Sequence, residues 1–205
     1  MFYQKCSNEL CQKKSVFYTN FCFIHTDDKD GLLLNIKKFI SENSIIRGYN
    51  FSNIDLSNID FSNKDISYSV FSRCNLKKCN FKNTKIVSVF FDFADMKNTD
   101  FSNSNINFSV FGGANLDDAF FKDANVNFSN FLGANLRNVK FNNSDLRYSR
   151  FINSITENTS FYNSNMKKTV FQNIIFNKKS LQSSNPEDSI IINCKGIDCD
   201  IKEYI

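Results

Sequence analysis

The sequence predicts an all-β fold, a four-cornered solenoid of stacked coils carried by residues 46–180. Three observations predict it. Of the 26 positions met by taking every fifth residue from Phe51 to Phe176, 25 are apolar, Thr156 is the exception, and no insertion or deletion interrupts the run. Two residues after these central positions, Asn, Gly or Asp fills 16 of the 25 slots from residue 53 to residue 173. Two residues before them something small recurs, as at Cys74, Cys79, Thr84, Ala94, Ala114, Ala124 and Ser144.

A period of five matches neither the 3.6 of a helix nor the 2.0 of an open strand. It matches a chain that turns a corner every five residues. The central and small residues then face inward and the other three face outward. Asn and Gly suit the corner because a type II turn needs positive φ at its third residue. Four corners close a square of roughly 20 residues, and coils stack at about 4.8 Å. Phe51, Phe71, Phe91, Phe111, Phe131, Phe151 and Phe171 fall on one wall; Phe61, Phe81, Phe101, Phe121, Phe141 and Phe161 fall on the opposite one. Aliphatic residues line the remaining two walls.

The triplets Ala114-Asn115-Leu116, Ala124-Asn125-Val126 and Ala134-Asn135-Leu136 resemble the pentapeptide-repeat family, whose consensus is Ala-(Asp/Asn)-Leu-x-x. The resemblance covers roughly two thirds of the chain. It implies a right-handed quadrilateral β-helix of slightly over six coils, about 30 Å tall. Two residues depart from the pattern: Lys64 fills a small slot and Thr156 a central one. Lys64 is expected to reach solvent and Thr156 to bond a backbone group.

One corner column breaks the polar rule. It reads Tyr68, Ser88, Phe108, Phe128, Tyr148, Lys168, and the column before the next central residue reads Val70, Phe90, Val110, Asn130, Arg150, Val170. Both should point outward, giving an apolar stripe, and exposed patches of that kind mark interaction sites. Tyr68, Val70, Phe90, Phe108, Val110, Phe128 and Tyr148 are therefore the candidate partner-binding residues. Cover by the chain's own C-terminal segment, or a corner that turns inward, are the alternatives.

The segment 29–45 is expected to cap the first coil. Leu32 or Leu33, Ile36, Phe39 and Ile40 share a helical face over about residues 30–42, and Asp residues suit the start of that helix. Downstream, Asn185-Pro186 breaks the chain, and residues 181–205 are expected to form a hairpin cap turning at Lys195-Gly196.

Residues 1–28 carry Cys6, Cys11, Cys22 and His25, a Cys-x4-Cys-x10-Cys-x2-His pattern that includes the sole His. Two ligand pairs with a mid-length spacer fit a tetrahedral Cys3His site for structural zinc, with no coordination position left for chemistry. Tyr3, Phe17, Tyr18, Phe21 and Phe23 supply a miniature core around it. The stretch resembles short zinc modules of large DNA viruses, their algal relatives and some phage proteins, which suggests a virion or assembly component. Cys74 and Cys79 read instead as inert core residues.

Composition narrows the function classes. No basic segment with an apolar core opens the chain, and no apolar run can span a bilayer, so an intracellular, cytoplasmic protein without membrane contact is expected. Seven Cys, an odd number, point to metal ligation or burial in a reducing compartment and not to disulfides. There is no phosphate loop, nucleophile elbow or cleft carboxylate pair, and a filled square solenoid offers no pocket, which excludes an enzyme and a small-molecule substrate. Residues 51–180 hold 16 Lys/Arg against 11 Asp/Glu, interspersed. That is too basic to mimic duplex DNA and too mixed for a nucleic-acid stripe. The sequence thus predicts a non-catalytic scaffold that binds a protein partner or forms a homo-oligomer.

Overall fold

The computed structural model describes residues 4–177 and 180–196. Tyr3 and residues 197–205, the second arm of the expected hairpin, lie outside them. The described chain runs through a Cys/His module, one α-helix and a quadrilateral stack of coils. Residues pair in parallel at an offset of one coil, from Ile45 with Asp65 to Ile175 with Lys195. Three-residue strands form where that pairing is longest: β1 (Lys85–Val87) on β2 (Asn105–Asn107), and β3 (Arg150–Ile152), β4 (Val170–Gln172) and β5 (Ile190–Ile192) in a second sheet.

Every inward slot has a physical reason. The central Phe rings are fully buried and form two ladders. Along a ladder the rings stack, as Phe111 on Phe131 at 4.8 Å and 3°; between ladders they meet edge-on, as Phe111 with Phe121 at 6.1 Å and 79°. Both are favoured ring geometries. The small slot does more than save space. Where it holds a hydroxyl or thiol, that group often donates to the central carbonyl of the coil below: Ser69 to Ile46, Cys74 to Phe51 at 2.8 Å, Thr84 to Phe61 at 2.8 Å, Thr159 to Leu136 and Thr169 to Leu146. Burial pushes the Cys74 and Cys79 thiols up to about 12, which keeps them protonated and unreactive.

The corners are type II turns. The amide of Ala114 donates to Phe111 O at 3.1 Å, and the third turn residue takes positive φ from Asn53 (67°) to Asn193 (52°). The Asn or Asp just before each central residue often accepts the amide two residues on, as Asp60 does from Ser62 and Asn135 from Arg137. This Asx bond pre-shapes the turn entrance.

Helix α1 (Lys29–Glu42) starts on Asp28, whose side chain accepts from the Gly31 amide, and buries Leu32, Ile36 and Ile40. Lys64 does not run to solvent: its Nζ donates to Asn43 O at 2.8 Å, tying the end of α1 to the first coil. An ammonium satisfies an orphan helix-terminal carbonyl there, which explains a long cation in a small slot. Thr156 Oγ1 donates to Ile175 O at 2.6 Å.

The C-terminal expectation needs correction. Ile190–Ile192 pairs in parallel with Val170–Gln172, Asn185 pairs with Asn165, and Lys195 with Ile175. Residues 181–196 therefore extend the solenoid beyond 180, in parallel register with the coil before them. Leu181, Pro186 and Ile191 keep the five-residue register, with Pro186 buried in a central slot. The Pro186 carbonyl accepts from Ser189 in the corner that follows, so the turn survives the loss of a donor.

Candidate metal centre and apolar stripe

Cys6, Cys11 and Cys22 are buried and His25 half-buried, and their four ligand atoms lie within 4.8 Å of one another. Local backbone sets this up. Lys5 and Lys14 pair in antiparallel fashion around the first two Cys, and a short 3-10 turn, Phe23–His25, swings His25 back onto Cys22. The Cys11 and Cys22 sulfurs are 3.8 Å apart; His25 Nδ1 is 3.6 Å from Cys22 Sγ and 3.4 Å from Cys6 Sγ. A tetrahedral zinc with ordinary bond lengths requires about 3.8 Å between sulfurs and about 3.5 Å between sulfur and nitrogen. The four residues fit that ion.

The surrounding amides also favour thiolate. Burial acts to raise the Cys6 thiol, but the Cys22 and Asn8 amides and the His25 side chain outweigh it and bring it to about 6. The Lys13 amide favours the Cys11 thiolate, yet burial and the Cys22 and Cys6 sulfurs together leave that thiol raised.

The loop between the second and third of these Cys lands on the solenoid. Phe17 stacks on Phe51 at 5.8 Å and 27°, and Asn50 Nδ2 donates to Ser15 O at 2.7 Å. Phe17, Tyr18, Phe39 and Tyr49 pack together over the first coil. Phe21 and Tyr18 remain exposed, so of the predicted aromatic set Phe17 is buried and Phe23 packs half-buried against the core.

The stripe residues come together on one corner. Tyr68, Phe108, Phe128 and Tyr148 have positive φ of 66°, 56°, 56° and 62°, and their side chains are 43–56% exposed. The corner therefore turns outward like the others. Phe108 stacks on Phe128 at 4.9 Å and Phe128 on Tyr148 at 4.6 Å, forming a second, external ring ladder. Phe90 is exposed, whereas Val70 and Val110 are half-buried and form the shoulder of the stripe. Ser88, Asn130 and Arg150 interrupt it, and Lys168 closes it with its ammonium 5.7 Å from the Tyr148 ring.

Sequence reasoning missed the far edge of the same face. Phe93, 59% exposed, lies flat over Gly113, where an added Cβ would meet the ring at 2.7 Å, and Leu132 is exposed beside it. The signal was available: Phe93 occupies a corner slot, as Phe108 does, with Gly113 one coil on.

Comparison with known proteins agrees with this geometry. The family model described as "Pentapeptide repeat region" matches residues 76–151, and "Pentapeptide repeats (8 copies)" matches residues 45–83. Together they span residues 45–151, a little over half of the chain. Neither reaches residues 1–44, so the likeness of the Cys/His module to viral modules rests on its spacing alone. No curated protein matches the sequence. Among solved structures, a trypsin-treated variant of QnrB1, a plasmid-mediated fluoroquinolone resistance protein, is 19% identical over 76% of this chain and 75% of that one, with a TM-score of 0.52. A pentapeptide repeat protein of the Arabidopsis thaliana thylakoid lumen is 23% identical over 50% of this chain and 71% of its own, with a TM-score of 0.42. HetL, involved in heterocyst differentiation regulation in the cyanobacterium Nostoc, is 12% identical over 80% and 92%, with a TM-score of 0.30. The stacked coils, the in-register five-residue period and the two family matches lead to one identification: this chain is a right-handed quadrilateral β-helix and belongs to the pentapeptide-repeat family.

Proposed function

We propose that the protein is a non-catalytic scaffold that presents its apolar stripe to a protein partner, with a structural zinc ion holding its N-terminal module. The external ladder of Phe108, Phe128 and Tyr148 carries the reading. Non-Gly residues in the left-handed region cost about 1–2 kcal/mol each, and an exposed ring recovers little by burial. Asn or Gly would serve the turn better, as at most positions of the other corners. Rings held there at a cost are what a recognition surface requires. The six described Cys are all unpaired, which accords with a reducing, cytoplasmic setting.

Two measurements test the proposal. The Tyr68→Asp/Phe108→Asp variant should lose capture of the partner that co-purifies with the native protein while its melting temperature holds; undiminished capture would refute the stripe. Metal analysis should return one zinc per chain, lost in Cys22→Ser; less than half an equivalent would refute the metal reading.

A further inference from the structure

The exposed ring ladder lacks one rung. Its column reads Tyr68, Ser88, Phe108, Phe128, Tyr148, one residue per coil, and all five take positive φ between 54° and 66° at the same turn position. Adjacent coils bond directly through this column: the Tyr68 amide donates to Val87 O at 2.8 Å and the Ser88 amide to Asn107 O at 2.9 Å. Ser88 therefore lies one coil above Tyr68 and one coil below Phe108. Two coil steps, about 9.6 Å, separate the two aromatic positions. Rings within the ladder stand 4.9 and 4.6 Å apart, so the gap admits one more ring at the ladder's own pitch. Exposure agrees with this. Phe128, stacked on both faces, is 46% exposed; Phe108, whose lower face looks onto Ser88, is 56% exposed. Ser88 itself is half-buried, although small and on an outward corner, and forms the floor of the gap.

The surroundings narrow what the gap takes. An aliphatic group would leave two ring faces without a stacking partner. A cation closes the upper end of the ladder, where Lys168 meets Tyr148. On the flank of the gap, however, Arg47 and Lys85 already share one carboxylate, Asp65, and a further cation is repelled. The adjoining shoulder of Val70, Phe90 and Val110 is apolar. A neutral planar ring fits best. We propose that the gap over Ser88 is the anchor site of the stripe and receives one aromatic side chain of the protein partner, inserted between Tyr68 and Phe108 as the missing rung. The proposal rests on the stripe being the partner-facing surface and names the chemistry that surface recognises. Interface affinity concentrates at anchors of this kind, rings enclosed in a water-excluding slot.

N-acetyltryptophanamide is the probe, because the chain contains no Trp and indole fluorescence reports the probe alone. Titration with the native chain should saturate in the millimolar range, with the indole protons shifted upfield by the rings on either side. Ser88→Phe fills the gap with a residue the same turn position already carries at Phe108 and Phe128; it should weaken probe binding about tenfold while the melting temperature holds or rises. Ser88→Asn suits the left-handed turn, leaves the gap open and should bind the probe as the native chain does. Phe108→Ala removes one wall and should weaken the probe as well. A native chain that does not bind the probe, or undiminished binding in Ser88→Phe, would overturn the proposal. So would adenosine monophosphate binding more tightly than the probe and being lost in Ser88→Phe, which would give the gap to a nucleotide. Capture of the co-purifying partner should also fall in Ser88→Phe. If it falls only in Tyr68→Asp/Phe108→Asp, the stripe stands and the anchor does not.

Discussion

The Phe17 amide donates to the Asn50 carbonyl at 2.9 Å, just as the Phe51 amide donates to the Val70 carbonyl at 2.8 Å. With its ring stacked on Phe51, Phe17 stands where the central residue of a preceding coil would stand. The loop between Cys11 and Cys22 is a substitute coil over one wall, while α1 covers the rest. A parallel edge left bare would offer unpaired groups to other chains.

Metal removal should therefore act on the first coil. Chelation, or Cys22→Ser, is expected to release the Phe17 amide to rapid hydrogen exchange while the Phe111 amide keeps its protection. Equal protection of Phe17 with and without metal would separate the cap from the metal centre.

Phe111→Ala should cost about 3–5 kcal/mol, because the ring is fully buried between Phe91 and Phe131 and the square frame cannot collapse onto the cavity. Urea or thermal unfolding measures it. A loss below about 1 kcal/mol would contradict the rigid packing.

Phe108→Asn should leave stability within about 1 kcal/mol of the native value. It gives up one external stacking contact, worth about 0.5–1.5 kcal/mol, and relieves a left-handed backbone conformation that Asn tolerates better. Strong destabilisation would mean the external ladder holds the fold together instead of facing a partner.

Asp65 gives the protein an acid-sensitive point. Burial works to raise its pKa, but Arg47, the Ser67 hydroxyl and the Ser67 amide prevail and hold it well below the usual carboxylate range, with Lys85 Nζ 3.5 Å away. A carboxyl depressed in the folded state contributes stability that is fully present above its unfolded pKa of about 3.9 and is lost as pH falls below it. Native protein should lose more stability than Asp65→Asn between about pH 5 and pH 2. Parallel curves would remove Asp65 from the acid response.

The solenoid was legible because one constraint repeats: every fifth side chain must fill the same small square, so Phe51 to Phe176 announce themselves. The Cys/His cluster was legible for a similar reason, since ligand spacing constrains residue type. Lys64 was not, because its partner is the Asn43 carbonyl, a backbone atom that leaves no trace in the sequence. Residues 181–196 misled because Pro186 and a run of isoleucines imitate a break followed by a strand, and only pairing with coil residues 165–175 reveals the register. Phe93 was overlooked because its neighbour is a glycine's missing side chain.

The unbroken five-residue register also restricts how such a chain can change length. Removing one, three or four residues from a wall would send every later Phe outward, removing two would force each into the small inward slot, and removing five would turn each later face by a quarter circle. Only steps of roughly twenty residues leave the outer pattern aligned, each altering the height by about 4.8 Å. The molecule grows like a stack of floors, one whole storey at a time.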